Sequence, residues 1–251
     1  MENCIVLLRH AATTGGKGRA IGRTPLELSE EGQRQAAALV ESLPRLLARL
    51  SERTGGTGAR SFAAVYSSPA SRALDTLAPQ YGQMVQGRPA WLPQATILPE
   101  LDEIDLGEWD GLAFEDIRSR FPEAYAMRGR DMAGFRPPGG ENFKDVATRM
   151  QAAMTRMATG PLPALAVTHA GSIRTVLCRC TATPLDALFS FSPPHARPYV
   201  IELSCLPVQA GSGPVCSTVC NSVTGVAPAG IPDNEDGIAG HHVWQVGTSV
   251  A

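Results

Sequence analysis

The chain has 251 residues, 43% apolar and 18% charged, with a formal net charge of −2. That balance suits a soluble globular protein with one sizeable core, and argues against nucleic-acid binding, which calls for a basic surface. No run approaches the roughly 20 apolar residues of a membrane helix, and the opening Met-Glu-Asn-Cys lacks the basic segment of a signal peptide, so the expected setting is the cytoplasm, away from membranes.

The run Cys4-Ile5-Val6-Leu7-Leu8 is short, apolar and branched, the pattern of a buried strand. It ends at Arg9 and His10 and gives way to a loop of glycine and threonine. Ser29-Glu30-Glu31 reads as a helix start, and Ala36, Leu39, Val40, Leu43, Leu46, Leu47 and Leu50 follow at helical spacing. Pro44 is expected to kink or split that helix. Residues 54 to 60 form a glycine-rich loop, and Phe62 to Tyr66 a second strand. Ser67-Ser68-Pro69 then opens a helix that carries Arg72 in its first turn.

Ala95 to Leu98 is a third short strand, followed by the acidic stretch Leu101-Asp102-Glu103-Ile104-Asp105 and Gly107-Glu108-Trp109-Asp110-Gly111. Residues 113 to 121 look helical, and 122 to 140 irregular, so 105 to 140 read as a lid or insertion over the sheet edge. Phe143, Val146, Met150, Met154 and Met157 mark an amphipathic helix. A second apolar run, Ala164 to Val167, ends at Thr168-His169-Ala170-Gly171 and leads into a helix. Tyr199 to Leu203 is a late strand, residues 205 to 240 lack periodicity, and His242 to Val246 read as a further strand. The division expected is a catalytic domain over 1 to 204 and an irregular extension over 205 to 251.

Cys4, Cys178 and Cys180 fall in apolar patterns and read as core residues. Cys205, Cys216 and Cys220 with His241 and His242 lack the paired Cys-x-x-Cys spacing that would favour zinc, and a disulfide among them stays open. Positive charge is almost all arginine, since Lys17 and Lys144 are the only lysines. Arginine grips planar anions in a bidentate way.

Helices alternating with apolar strands imply an α/β fold, three layers with a mostly parallel sheet, and ligands bind outside the carboxyl ends of such strands. Arg9, His10, Arg72, Glu103 and His169 all fall there. Two arginines and a histidine can hold a phosphoryl dianion, a second histidine can attack phosphorus, and a carboxylic acid can protonate the departing alkoxide. The arginines supply the positive charge, so no metal or other cofactor is expected. Singly, each residue has a plain structural reading, as a surface ion pair, a hydrogen-bonded core histidine or a solvated acid. Their joint occurrence at strand ends and helix starts favours chemistry.

Leu8-Arg9-His10-Ala11, Gly22-Arg23-Thr24 with Leu28-Ser29-Glu30-Glu31-Gly32, Ser67-Ser68-Pro69 with Arg72, Leu101-Asp102-Glu103, Pro138-Gly139-Gly140-Glu141 and Val167-Thr168-His169-Ala170-Gly171-Ser172-Ile173-Arg174 occur in that order over residues 4 to 203. As a set they resemble the motifs of the histidine phosphatase superfamily, with its phosphoglycerate-mutase-like fold. The resemblance implies that His10 is the phosphorylated nucleophile and Glu103 the proton donor. It implies that Arg9, Arg72 and His169 hold the phosphoryl group, with Thr13, Arg19, Gly22, Arg23 and Ala170 as further substrate contacts. Gly16 stands where the family often has asparagine, so a phosphate contact is either missing here or supplied by Arg19 or Arg23. The motifs resemble the phosphatase branch, α-ribazole phosphatases in particular. Broad-specificity sugar or nucleotide phosphatases, a phosphoglycerate-type mutase and a non-catalytic phosphate-ligand sensor are the alternatives. The expected partner is a small-molecule phosphate ester, and a homodimer stays open. A backbone carbonyl in the loop after His10 is expected to orient its ring.

Overall fold

The computed structural model describes residues 3–53, 61–82, 92–203 and 240–244. Six strands form one sheet: β1 (Cys4–Arg9), β2 (Ala64–Ser67), β3 (Thr96–Ile97), β4 (Ala164–Thr168), β5 (Pro198–Leu203) and β6 (Gly240–Trp244). Their order is β3-β2-β4-β1-β5-β6. The first four run parallel, β5 is antiparallel to β1, and β6 runs parallel to β5. The helices are α1 (Glu30–Arg53), α2 (Ser71–Gly82), α3 (Phe114–Arg120), α4 (Pro122–Arg130), α5 (Phe143–Ala158) and α6 (Ala170–Cys180).

Side chains of a strand alternate between its two faces, and both faces here are apolar. Ile5, Leu7, Ala164, Ala166, Tyr199 and Ile201 join one core with Val146, Met150 and Met154 of α5 and Ile173, Val176 and Leu177 of α6. Val6, Leu8, Leu165, Val167 and Val200 join the other with Leu39, Leu43, Leu46 and Leu47 of α1 and Ala73 and Leu77 of α2. This is the three-layer α/β/α architecture expected from the strand and helix patterns. A third, smaller core gathers Ala20, Trp109 and Ile117 with Leu112, Phe121, Tyr125 and Phe135, which ties residues 105 to 140 to the loop after β1.

Three local expectations change. Pro44 does not split α1, which runs unbroken over 24 residues. Its neighbours Leu43, Leu46 and Leu47 are buried against the sheet, and that packing outweighs the hydrogen bond a proline cannot make. Residues 122 to 130, expected to be irregular, form α4, which opens on Pro122 and buries none of its residues. Only Ala124 and Tyr125 of this helix pack on the third core, and so narrow an apolar face leaves little period to read. The last strand begins two residues earlier than expected, at Gly240. Cys4 and Cys178 are buried in the core, whereas Cys205, Cys216 and Cys220 and the side chains of His241 and His242 lie outside the described residues. No helix among the described residues is long and apolar enough to cross a membrane.

Candidate active site

The site is built where β1 and β4 end side by side. Their register pairs Arg9 with Thr168, and His10 N–H donates to the Thr168 carbonyl at 3.0 Å, so His10 and His169 leave the sheet at the same level. The ring centroids are 5.1 Å apart. His10 Nδ1 donates to the Ala11 carbonyl at 2.8 Å. That assigns the ring proton to Nδ1 and leaves a lone pair on Nε2. Burial, with His169, Arg72 and Arg9 nearby, holds the His10 pKa well below its ordinary value. The ring is therefore neutral near neutral pH.

Arg72 enters from the first turn of α2 and is 2% exposed. Its Nη2 and Nη1 donate to the carbonyls of Gly22 (2.7 Å) and Thr24 (3.0 Å), and its Nε donates to His169 Nδ1 at 3.3 Å. Those two carbonyls are themselves fixed by Asp110, which accepts the N–H groups of Gly22, Arg23 and Thr24 at 2.8 to 2.9 Å. Arg9 donates to the Pro193 carbonyl at 2.7 Å, while its buried Nε finds no partner among the described residues. Burial lowers its pKa to about 10. Glu103 is 8% exposed, with Oε1 accepting Ile104 N–H at 3.0 Å and Oε2 accepting Gly171 N–H at 3.2 Å.

Arg9, His10, Arg72 and Glu103 line one cavity of about 500 Å³, with Thr13, Gly16, Arg19 and Ala170 in its wall. His169 is fully buried and meets Arg72 rather than the open space. Gly22 and Arg23 do not line the cavity. Gly22 serves through its carbonyl on Arg72, and the Arg23 guanidinium turns to Asp105 (3.0 Å), Glu141 (3.4 Å) and Asp102 (3.6 Å). Of the two arginines considered in place of an asparagine at Gly16, only Arg19 borders the space. Residues 105 to 140 contribute Leu106, Trp109, Phe114, Tyr125 and Phe135 to the wall.

Three features escaped the sequence reading. His195 lines the cavity, donates from Nδ1 to the His10 carbonyl at 2.9 Å and packs its ring 5.2 Å from His10. Only the antiparallel pairing of β5 with β1 brings it there, although a histidine directly ahead of a late strand was a visible signal. Arg128 and Arg174 converge on Phe189, at 5.6 and 4.7 Å from the ring centroid. Asp102 and Ser68 bond to His169 from the side away from Arg72.

A model of the histidine phosphatase superfamily (branch 1) matches residues 5–205. A metal-independent phosphoserine phosphatase of Arabidopsis thaliana is 31% identical over 181 residues, which cover 70% of this chain and 68% of that protein. Mycobacterial relatives at 34% identity are matched over only 43% of their length, so the chain spans less than half of them. The α-ribazole phosphatase of Shigella flexneri has the same fold, with a TM-score of 0.64 at 22% identity over 81% of this chain and 91% of that one. The mycobacterial glucosyl-3-phosphoglycerate phosphatase with inorganic phosphate gives 0.61 at 25% identity, covering 80% and 89%. The chain belongs to the histidine phosphatase superfamily and is, by class, a phosphoric monoester hydrolase.

Proposed function

We propose that the protein hydrolyses phosphate monoesters without a metal, through a phosphohistidine on His10. The observation that carries this reading is the His10 ring, tied at Nδ1 to Ala11 and free at Nε2, beside buried Arg72, half-buried Arg9 and a buried acid. Nε2 attacks phosphorus as the bond to the leaving oxygen breaks, and Glu103 passes its proton to that oxygen. Water then attacks the phosphohistidine, Glu103 takes the water proton, and His10 is released with inorganic phosphate. Arg9 and Arg72 stabilise the charge on the equatorial oxygens. The buried, unpaired Nε–H of Arg9 supports this assignment, because such a donor is costly until an anion meets it.

For the substrate, the wall of Trp109, Phe114, Tyr125, Phe135 and Phe189 supports an ester with a planar, partly apolar leaving group. The ester of α-ribazole 5′-phosphate fits that description better than phosphoserine does. A second reading, a broader sugar or nucleotide phosphatase, is favoured by the basic lining, with Lys17, Arg19, Arg128 and Arg174 beyond the two arginines at the histidines. The test is hydrolysis of p-nitrophenyl phosphate in EDTA by the wild type and by His10→Ala, followed by a panel headed by α-ribazole 5′-phosphate. Turnover lost in His10→Ala supports the mechanism. A folded wild type without turnover on the aryl ester and the panel refutes it.

A further inference from the structure

His169 is held by a relay that the steps above leave unused. Its Nδ1 accepts from Arg72 Nε, so its proton sits on Nε2 and is donated to Ser68 Oγ at 2.7 Å. Ser68 also accepts Ala70 N–H at 3.2 Å and passes its own hydroxyl proton to Asp102 Oδ1 at 3.0 Å. The same Oδ1 accepts Glu103 N–H at 2.9 Å and lies 3.5 Å from His169 Nε2. Asp102 is therefore the anion on the far side of the second histidine, one residue before the candidate acid. Burial alone would raise its pKa, but hydrogen bonds from His169, Glu103 N–H and Ser68 hold it at about 2. It is charged throughout the neutral range.

A neutral His169 in this tautomer turns a lone pair toward Arg72, and a lone pair repels a phosphoryl dianion. To donate a hydrogen bond, Nδ1 needs a second proton. The Arg72 Nε bond that now occupies Nδ1 is, at 3.3 Å, the longest of the three Arg72 makes, and the other two anchor its guanidinium. It is the one that can exchange. We propose that Asp102, acting through Ser68, is the positioning residue that lets His169 take up one proton from solvent when a phosphoryl dianion binds. Nδ1 then changes from acceptor of Arg72 to donor toward a phosphoryl oxygen, and Arg72 Nε turns to the ligand. No covalent bond other than that N–H forms or breaks.

The groups facing His169 divide cleanly. Arg72 and His10 oppose a charge on its ring, while Asp102 and Glu103 favour one. Burial and Arg72 keep the ring neutral before the ligand arrives, and the ligand's own charge tips the balance. This inference rests on the phosphatase reading, because it requires a phosphoryl site at Arg72.

Proton uptake on binding tungstate, an oxyanion that stays dianionic through neutral pH, tests it by titration calorimetry in buffers of differing ionisation enthalpy. The wild type is expected to take up about one proton per tungstate at slightly alkaline pH. Asp102→Asn keeps an acceptor for Ser68 and for Glu103 N–H but loses the charge. It is expected to lose most of the uptake and to bind about tenfold more weakly, one pK unit of lost coupling. His10 and His195 flank the same space, but the hydrogen bonds of Asp102 reach neither, so the difference between the two proteins reads His169. Ser68→Ala removes the bridging hydroxyl with the carboxylate left 3.5 Å from His169 Nε2, and is expected to lower the uptake part of the way if Asp102→Asn does not fold. Uptake that is absent in the wild type, or equal in wild type and variants, overturns the proposal. A folded wild type that binds no tungstate overturns the phosphatase reading itself.

Discussion

Gly171 lies in the first turn of α6, where its N–H meets Glu103 Oε2 at 3.2 Å. A Cβ at this position would stand 2.2 Å from Glu103 Oε1, 3.2 Å from its Cδ and 3.4 Å from Phe143 Cε1. With ordinary contacts at roughly 3.5 Å, the carboxyl of Glu103 must retreat by about 1 Å in Gly171→Ala. It has little free room, being 8% exposed and tethered at Oε1 to Ile104 N–H. A displacement of that size costs on the order of 10²-fold in rate, within the 10²–10⁴ range of a general acid. Alanine is the better helix former by about 1 kcal/mol, so the helix itself gives no reason for the melting temperature to drop. The assay compares two esters. An alkyl phosphate needs its leaving oxygen protonated and should lose about 10²-fold in kcat/KM, which reports phosphoryl transfer to His10 and not the later hydrolysis that both esters share. p-Nitrophenolate departs without a proton, so p-nitrophenyl phosphate should lose much less. Inhibition by inorganic phosphate, which depends on Arg9 and Arg72, should be unchanged. An undiminished kcat/KM on the alkyl ester, or the same loss of kcat/KM on both esters, would show that Glu103 is not the acid.

Asp110→Ala removes the acceptor that fixes Gly22, Arg23 and Thr24, whose loop carbonyls hold Arg72; it should raise KM and the inhibition constant of phosphate together, by about tenfold for 1–1.5 kcal/mol of lost positioning, with kcat less affected. Gly16→Asn should be tolerated, because its Cβ would meet only Leu26, Ile21 and Thr13 at 3.6 to 3.8 Å; stability should stay within about 0.5 kcal/mol of wild type and phosphate should bind more tightly, as measured by melting and by inhibition. Burial depresses the folded-state pKa of His10, His169 and His195 below the ordinary value of 6.5. Below about 6.5 the unfolded chain therefore binds more protons than the folded one, and each histidine removes up to about 1.4 kcal/mol per pH unit as pH falls toward its folded pKa. Calorimetry should show Tm falling from about pH 7 to pH 5, and His195→Gln should reduce that dependence; a flat profile would contradict the burial argument.

Much of the site could be read along the chain because its parts are local signals. Arg9 and His10 end one apolar run, His169 ends another, and Arg72 follows a proline-led helix start, so each is placed by a strand end or a helix cap. Glu103 had no periodic context, and only the motif around it singled it out. Arg23 was read as a substrate contact from the resemblance of Gly22-Arg23-Thr24 to a family motif, whereas in the structure its guanidinium meets Asp102, Asp105 and Glu141 from distant segments. The helix over Pro122–Arg130 was missed because none of its residues is buried.

By itself, the sequence determined the layered α/β class and which residues would stand at the sheet edge. Both follow from apolar periodicity and chain breaks within a few residues of each other. Tertiary structure decided which of those residues meet. Register set Arg9 beside Thr168 and so His10 beside His169. The antiparallel return of β5 carried His195 to His10. The fold also closed the Ser68–Asp102 relay behind His169. Contacts between residues dozens to nearly two hundred positions apart depend on strand order and pairing, and no local pattern encodes those.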